Sequence, residues 1–248
     1  MDIRIIPSLL LSDGDLVKTQ RFTKPKYVGD PLNAVRTFNE KYVDEIMILD
    51  VEASKQKVAP NFDLIENIAA ECFMPLSYGG GVKSLQHASS ILSSGVEKIV
   101  FNSVFITDPK VVAECAREFG SQAVVVSMDF RRNLFGKYSL VCSAETKADP
   151  VTIARRAEEL GAGEILLTSV EREGTGKGYD LELVSLVSDA VGIPVIANGG
   201  AGSLNDFRAA VDAGASALSA GSMFVFHGKH RSVLITYPDR DDIEQIMQ

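Results

Sequence analysis

The chain has 248 residues, of which 46% are hydrophobic, and a formal net charge of −8 at pH 7. This charge argues against a general surface for nucleic acids or anionic membranes. There is no apolar signal core and no apolar run near the ~18 residues of a membrane span. We therefore expect a cytoplasmic protein with one large hydrophobic core.

Short apolar runs alternate with amphipathic stretches along the whole chain. We predict eight strands: Arg4–Leu10, Glu45–Asp50, Pro75–Ser77, Lys98–Phe101, Ala123–Asp129, Glu164–Thr168, Pro194–Ala197 and Ala217–Ser219. We predict seven helices between them: Leu32–Lys41, Phe62–Cys72, Leu85–Ser94, Pro109–Phe119, Pro150–Leu160, Leu181–Val191 and Leu204–Ala213. Strands that alternate with helices predict a parallel sheet with helical crossovers.

Helix ends carry recognisable signals. Asp108 before Pro109, and Asp149 before Pro150, are capping residues followed by proline at the first helical position. Glycines follow several helices and indicate where these end: Gly95, Gly120, Gly161, Gly192 and Gly214.

The two halves of the chain match at an offset of 119 residues, which aligns Glu45 with Glu164 and Gly95 with Gly214. We therefore predict a single (β/α)8 TIM barrel over residues 1–248, with half-barrels at about 1–120 and 121–248. A doubly wound open sheet explains the alternation but not the symmetry. The stretch from Lys229 to Gln248 breaks the pattern, and we expect it to close the barrel or cover an edge.

The chain offers no pattern for a metal site. The cysteines are odd in number, widely spaced and without a CxxC motif: Cys72, Cys115 and Cys142. We expect free thiols. The histidines do not cluster with them: His87, His227 and His230. We expect neither a metal nor another cofactor.

Loops after the predicted strands are rich in small residues. In a barrel these loops carry the ligands, and their backbone N–H groups can cradle phosphates. The candidate phosphate-binding residues are Gly80, Gly81, Asn102, Ser103, Gly174, Thr175, Gly199, Gly200, Gly221 and Ser222. The repeat pairs Gly80 with Gly199 and Asn102 with Gly221, which predicts two similar cradles. Tight turns alone would explain a single pair of glycines, but four loops in two symmetric pairs favour phosphate binding.

Two candidate catalytic residues lie at the same end of the predicted barrel. Asp129 ends the fifth strand, where its carboxylate either takes part in chemistry or caps a loop. Its counterpart in the repeat is Leu10, which cannot exchange a proton. Lys18, in the first loop, supplies a possible cationic contact or a plain surface charge.

At the opposite end, strands begin with two basic and two acidic residues: Arg4, Glu45, Lys98 and Glu164. Because buried charges need partners, we expect a ring of ion pairs. Strand parity places Arg4 and Leu10 on one interior face, with Ile6 and the small Ser8 between them. The ring either plugs the barrel floor or gates an axial passage.

Together these residues resemble the HisF-type cyclase subunit of imidazole glycerol phosphate synthase, from Arg4 to about His227. The most specific stretches are Arg4-Ile5-Ile6-Pro7, Asp44-Glu45, Gly79-Gly80-Gly81, Phe119-Gly120-Ser121-Gln122, residues 161–169, Gly174-Thr175, Gly178-Tyr179-Asp180 and Gly199-Gly200-Ala201-Gly202.

The resemblance implies a (β/α)8 barrel that binds a ligand with two phosphates. It also implies a HisH-like glutaminase on the N-terminal face of the barrel, and ammonia passing upward through a gate. The gate positions match the four charged residues named above.

Departures from the family are concentrated at the mouth and the C-terminus. The family's first strand reads Pro-Cys-Leu-Asp, with a catalytic Asp, where this chain has Pro7-Ser8-Leu9-Leu10. The family's Asp-Arg-Asp-Gly-Thr becomes Glu171-Arg172-Glu173-Gly174-Thr175. Lys24-Pro25-Lys26-Tyr27 and the ending His230–Pro238 resemble a branch linked to acetamidino modification of surface-polysaccharide sugars.

Three functions follow as alternatives. The first is an ammonia-conducting subunit that supplies a separate sugar amidotransferase. The second is a true cyclase in histidine biosynthesis, with another group replacing the missing acid. The third is a non-catalytic, phosphate-binding regulator of a glutaminase. The retained charged ring favours the first two, and Leu10 favours the first.

Overall fold

The computed structural model describes residues 3–56, 58–141, 149–228 and 230–247. Its strands are β1 Arg4–Ser12, β2 Asp15–Gln20, β3 Thr23–Gly29, β4 Ile46–Asp50, β5 Leu76–Gly79, β6 Lys98–Phe101, β7 Val124–Arg132, β8 Tyr138–Leu140, β9 Glu164–Ser169, β10 Val195–Asn198, β11 Ala217–Ala220, β12 Phe226–His227 and β13 Ser232–Val233. Its α-helices are α1 Pro31–Asn39, α2 Ala53–Gln56, α3 Phe62–Glu71, α4 Leu85–Ser93, α5 Ser103–Thr107, α6 Pro109–Phe119, α7 Pro150–Glu159, α8 Leu181–Ser188, α9 Leu204–Asp212, α10 Ser222–Val225 and α11 Arg240–Met247.

Eight parallel strands close into a barrel. They run in the order β1, β4, β5, β6, β7, β9, β10 and β11, and β11 pairs with β1, where Ile5 lies opposite Leu218. Helices cover the outside. The predicted (β/α)8 barrel is thus confirmed, and the open sheet is wrong because no barrel strand is left at an edge.

The 119-residue repeat extends to the pairing of the strands. Ser8 pairs with Met47 between β1 and β4, and Ser127 pairs with Leu166 between β7 and β9. A shift of one residue would turn an apolar interior face outward, so the common register places equivalent side chains at equivalent depths. The division of the chain near residue 120 stays a prediction.

Helix ends follow the predicted signals with two exceptions. The Asp149 side chain accepts a bond from the backbone N–H of Thr152 and caps α7. Asp108 precedes Pro109 and also follows the last residue of α5, but its side chain makes no capping bond to α6. Helix α8 ends at Ser188, not at Val191, so Gly192 lies beyond the helix end.

Two antiparallel hairpins above the barrel were missed. Strands β2 and β3 form the first hairpin, after β1, and β8 pairs back on the long β7 to form the second. The alternation of apolar and polar residues in both segments is short and mostly polar, so it does not distinguish a strand from a loop. They follow the first strand of each half.

The C-terminal segment covers the barrel wall and forms no barrel strand. The Tyr237 hydroxyl donates to the carbonyl oxygen of Ile5 at 2.9 Å, and its ring lies 5.4 Å from that of Phe224. Helix α11 packs beside α9. The segment therefore covers the outer side of the wall near β1. The expectation that it closes the barrel or covers an edge was wrong, because β11 pairs directly with β1 and leaves no edge.

Cys72 and Cys115 are free thiols, while Cys142 lies outside the described residues. In the described part of the chain, no helix has the length and apolar character needed to cross a bilayer. Nor do three or more potential ligand side chains come together there as a metal site would require.

Candidate functional site

A cavity of about 390 Å³ lies at the mouth, where the barrel strands end. Most of the predicted ligand residues line it: Lys18, Gly80, Gly81, Asn102, Ser103, Asp129, Gly174, Gly199, Gly200, Gly221 and Ser222. Thr175 is not among them, because its hydroxyl is turned to the carbonyl oxygen of Arg172, at 2.6 Å. The barrel therefore brings together loops that are far apart in sequence.

The glycine loops come close to the preceding strands in both halves. A Cβ atom on Gly80 would lie 2.5 Å from the carbonyl oxygen of Asp50, and one on Gly199 would lie 2.9 Å from that of Ser169. These two pairs correspond in the repeat, and both glycines have positive φ. Only glycine fits there, so the loop backbones remain open to the cavity.

An unpartnered hydroxyl lies among these loops. Ser222 lines the cavity, and its buried Oγ has no hydrogen-bond partner within the described residues. A buried polar atom without a partner costs free energy unless something else contacts it. This orphan hydroxyl indicates that a polar ligand belongs in the cavity.

Asp129 and Leu10 occupy equivalent places on the cavity wall. Asp129 lies opposite Thr168 in the β7–β9 pair, and Leu10 lies opposite Leu49 in the β1–β4 pair. The Asn102 side-chain amide donates to Asp129 Oδ2 at 2.8 Å. Burial raises the pKa of Asp129, while hydrogen bonds, among them that of Asn102, act in the opposite direction.

Two carboxylates that line the cavity were not predicted as site residues. Asp50 Oδ1 accepts the backbone N–H groups of Glu52 and Ala53 at 3.0 and 2.9 Å. Glu173 accepts the Thr19 hydroxyl and the backbone N–H of Phe22, both at 3.1 Å. Both carboxylates hold backbone or hydroxyl groups, and the charge of Glu173 also helps to raise the pKa of Asp129, after burial as the main cause.

Lys18 is buried, although the sequence placed it in a loop. It lies in β2, and its ammonium group donates to the carbonyl oxygen of Ser8. Burial lowers the pKa of Lys18 to about 8, and the nearby Glu173 opposes that shift. Because Lys18 gives up its proton more readily than an exposed lysine, its ammonium group suits a transient contact with an anion.

Thr168 and Asn198 also line the cavity and were missed. The Asn198 side-chain amide donates to the Thr168 hydroxyl at 3.0 Å. In the repeat, Thr168 corresponds to Leu49 and Asn198 corresponds to Gly79. The comparison that singled out Leu10 and Asp129 would therefore have identified Thr168 and Asn198 too, had it included the neighbouring strands.

At the floor, the four predicted charges form a closed ring. Arg4 contacts Glu45 at 2.7 Å and Glu164 at 2.8 Å, and Lys98 contacts the same carboxylates at 2.9 and 3.3 Å. Ser77 adds a hydrogen bond to Glu45 at 2.7 Å. The two carboxylates raise the pKa of Arg4 although burial opposes the shift.

An apolar layer lies between the ring and the cavity. It is formed by Ile6, Met47, Val100, Val125, Leu166, Ile196 and Ala217, and Leu49 packs against it. The parity predicted for the first strand is confirmed, since Ile6 lies in the layer while Leu10 lines the cavity above. Strand β7 alternates in the same way, with Val125 in the layer and Asp129 at the cavity. Ring, layer and cavity thus follow one another along the barrel axis.

The family model described as "Histidine biosynthesis protein" matches residues 4–231. The HisF subunit of imidazole glycerol phosphate synthase from Alkaliphilus metalliredigens is 42% identical over 228 residues, which covers 90% of each chain.

Two further relatives are more similar. A Pseudomonas aeruginosa protein, provisionally named as the synthase subunit hisF2, is 49% identical over 249 residues, with 97% of this chain and 98% of that protein covered. A Leptospira interrogans protein, provisionally named as HisF, is 48% identical over 248 residues, with 98% of each covered. The chain therefore belongs to the histidine biosynthesis protein family and is a HisF-like barrel.

Proposed function

We propose that this chain is the barrel subunit of a glutamine-dependent amidotransferase system. A HisH-like glutaminase docks at the floor and releases ammonia there, and the barrel conducts it to the mouth. The observation that carries this proposal is the alignment of the closed ion-pair ring, the apolar layer and the cavity on one axis.

The order of ring, apolar layer and cavity along the axis suits the passage of neutral ammonia. The apolar layer disfavours ammonium, because burying an unpaired charge is far more costly than burying a neutral molecule. Each base of the ring contacts both acids, so one ion pair can open while the other three hold the floor together. We therefore assign Arg4, Glu45, Lys98 and Glu164 as an ammonia gate.

Leu10 determines what happens at the mouth. In a cyclase of this family the Leu10 position holds an acid that works with the one at the Asp129 position. Loss of a positioned acid or base lowers turnover by roughly 10²–10⁴-fold. The barrel accordingly passes ammonia to a separate sugar amidotransferase. There the ammonia nitrogen bonds to the carbonyl carbon of an acetamido group and the carbonyl oxygen leaves as water, which gives an acetamidino sugar of a surface polysaccharide.

Retained polar groups at the mouth favour a second candidate, a cyclase subunit of imidazole glycerol phosphate synthase. Asp129 and Lys18 would take part in its chemistry. The glycine loops after β5 and β10, together with Asn102, Ser103, Gly174, Thr175, Gly221 and Ser222, would hold its two phosphates. Under the first proposal the same loops hold a phosphorylated ligand.

One measurement separates the candidates, and a second tests the gate that both share. The chain should fail to restore growth of a histidine auxotroph that lacks the cyclase subunit, and normal growth would contradict the sugar-modification role. In a reconstituted system with ¹⁵N-amide glutamine, Lys98→Ala should change the share of label that reaches the acceptor.

A matched control for the gate is Lys110→Ala, which removes an exposed lysine on α6. If Lys98→Ala folds and transfers label as the wild type does, the ring is only a plug.

A further inference from the structure

The two hairpins rise on either side of the mouth. The first consists of β2 and β3, residues 15–29, and the second of the end of β7 with β8, residues 130–141. Because each follows the first strand of a half-barrel, the repeat places them on opposite sides of the cavity. Phe22 from the first and Val141 from the second both line it.

Large apolar side chains at the second hairpin have no packing partner within the described protein. Leu134 is 102% exposed and Phe135 is 89% exposed. On the first hairpin Tyr27 is also largely exposed. Adjacent fully exposed apolar side chains of this size mark an interaction site more often than a plain surface.

The tip that carries Leu134 and Phe135 is rigidly built. Asn133 Oδ1 accepts the backbone N–H groups of Phe135 and Lys137 at 2.9 and 3.0 Å, and the Asn133 N–H donates to the Lys137 carbonyl at 2.9 Å. Gly136 takes the positive φ that the turn requires. A tip that is already ordered loses little conformational entropy on binding.

The first hairpin is also tied down. The Lys26 ammonium donates to the carbonyl oxygen of Arg231 at 2.8 Å and lies 4.7 Å from the centre of the Phe226 ring. Its tip is bound to the opposite loop, because the Arg21 N–H donates to the Glu173 carbonyl at 3.1 Å. Both hairpins are therefore fixed arms around the mouth.

Charge distinguishes both arms from the rest of the protein. Residues 15–29 contain four basic side chains and one acidic one, Asp15, and residues 130–141 contain three basic and no acidic side chains. Two of the latter, Arg131 and Arg132, pair with Glu171 and Glu182 beside the hairpin, which leaves Lys137 exposed. The whole chain is acidic, with a net charge of −8. A local basic collar on an acidic protein favours an acidic partner and speeds its docking in the right orientation.

We propose that these two hairpins, which we call the mouth collar, form the docking surface for the enzyme that consumes the ammonia. The partner's face is acidic and carries an apolar slot that receives Leu134 and Phe135. This inference rests on the proposed function, because ammonia that leaves the cavity reaches an acceptor without loss only if the acceptor covers the mouth.

Other occupants fit the observations less well. The floor, at the opposite end, is where the glutaminase docks in the proposed function. An anionic membrane would attract the collar but repel the rest of an acidic chain, and a membrane cannot receive ammonia for chemistry. A second copy of this chain offers no acidic collar to complement the basic one.

The test compares two double variants that remove similar exposed apolar area. Leu134→Ser with Phe135→Ser changes the collar. Tyr42→Ser with Phe73→Ser changes the floor, where both side chains are almost fully exposed beside the starts of β4 and β5. Neither pair is buried, so both variants should keep the wild-type melting temperature.

The probe is the purified acetamido-sugar amidotransferase of the same organism, measured by biolayer interferometry. We expect the collar variant to bind it roughly 10–100-fold more weakly, and the floor variant to bind it normally. Glutamine-dependent amidination should fall with the collar variant, while amidination from added ammonium chloride should not change. Lys24→Glu with Lys137→Glu should slow association and weaken its salt dependence.

The outcomes that overturn the collar are distinct from those that overturn the ammonia route. Unchanged binding by the collar variant, or no binding by the wild type, contradicts the collar. Collar-dependent sedimentation with phosphatidylglycerol vesicles, or a dimer that the collar variant dissociates, assigns the surface to a membrane or a second copy instead. Normal docking of the amidotransferase without any transfer of glutamine-derived label contradicts only the ammonia route.

Discussion

The two half-barrels share one backbone pattern but line the mouth with different chemistry. At three equivalent positions the first half has apolar or absent side chains and the second has polar ones: Leu10, Leu49 and Gly79 against Asp129, Thr168 and Asn198. The strand register is the same in both halves. Interior packing thus preserves the duplicated barrel, while residues at the strand ends diverge with function.

The floor shows a different asymmetry. Both halves supply an acid, Glu45 and Glu164, but both bases come from the first half. The counterparts of Arg4 and Lys98 are Ala123 and Ala217. Ala217 pairs directly with Arg4, and its small side chain leaves room for the guanidinium to extend across the axis. Four charges therefore fill a space that a symmetric ring of six could not share.

The largest effect is expected where the halves differ most, at Leu10. In Leu10→Asp the cavity regains a carboxylate at the position that corresponds to Asp129 in the repeat. If the rest of the mouth is intact, cyclisation of the synthase substrate should rise by roughly 10²–10⁴-fold, as expected for restoring a positioned acid or base. Product formation by the purified chain with ammonium salt measures this directly.

Leu10→Asn is the control for that experiment, since it adds a polar group of the same shape that cannot exchange a proton. No gain in Leu10→Asp, with the fold preserved, would show that the two halves differ in more than this one residue. An equal gain in both variants would assign the effect to polarity.

The second prediction compares the acids of the floor ring. Glu45 is 2% exposed and has three partners, whereas Glu164 is 14% exposed and has two. Glu45→Gln should cost up to roughly 3–5 kcal/mol of unfolding free energy, because it removes a buried charge and leaves the partly buried Arg4 and Lys98 short of a partner. Glu164→Gln should cost less, roughly 1–3 kcal/mol. Urea unfolding measures both, and equal losses would contradict the asymmetry.

Much of this structure was accessible from the sequence. Periodicity and the repeat gave the barrel, because buried parallel strands must be apolar and evenly spaced. The ring of ion pairs followed from strand parity, since Arg4 and Lys98 could not remain unpaired inside. Each of these features depends on short-range pattern or on the symmetry of the fold.

The hairpins and the cavity carboxylates could not be predicted from periodicity or from the repeat. β2 and β8 are short, so their alternation is too brief to distinguish from a loop. Glu173 becomes part of the site only because the first hairpin crosses the mouth and presents Thr19 and Phe22 to it. That contact joins residues more than 150 positions apart, and no local pattern predicts it.

The smallest effect compares two lysines that correspond in the repeat. Lys18 is buried in the first hairpin with a pKa lowered to about 8, while Lys137 is exposed on the second. Between pH 8 and the ordinary lysine range near 10.4, the unfolded chain holds a proton at Lys18 that the folded chain has released. Stability should therefore rise with pH in this window, by at most about 1.4 kcal/mol per pH unit. Lys18→Met should flatten that rise in urea unfolding at pH 7.5, 9 and 10, whereas Lys137→Met should retain it. Parallel curves for all three proteins would mean that Lys18 keeps its proton in the folded state.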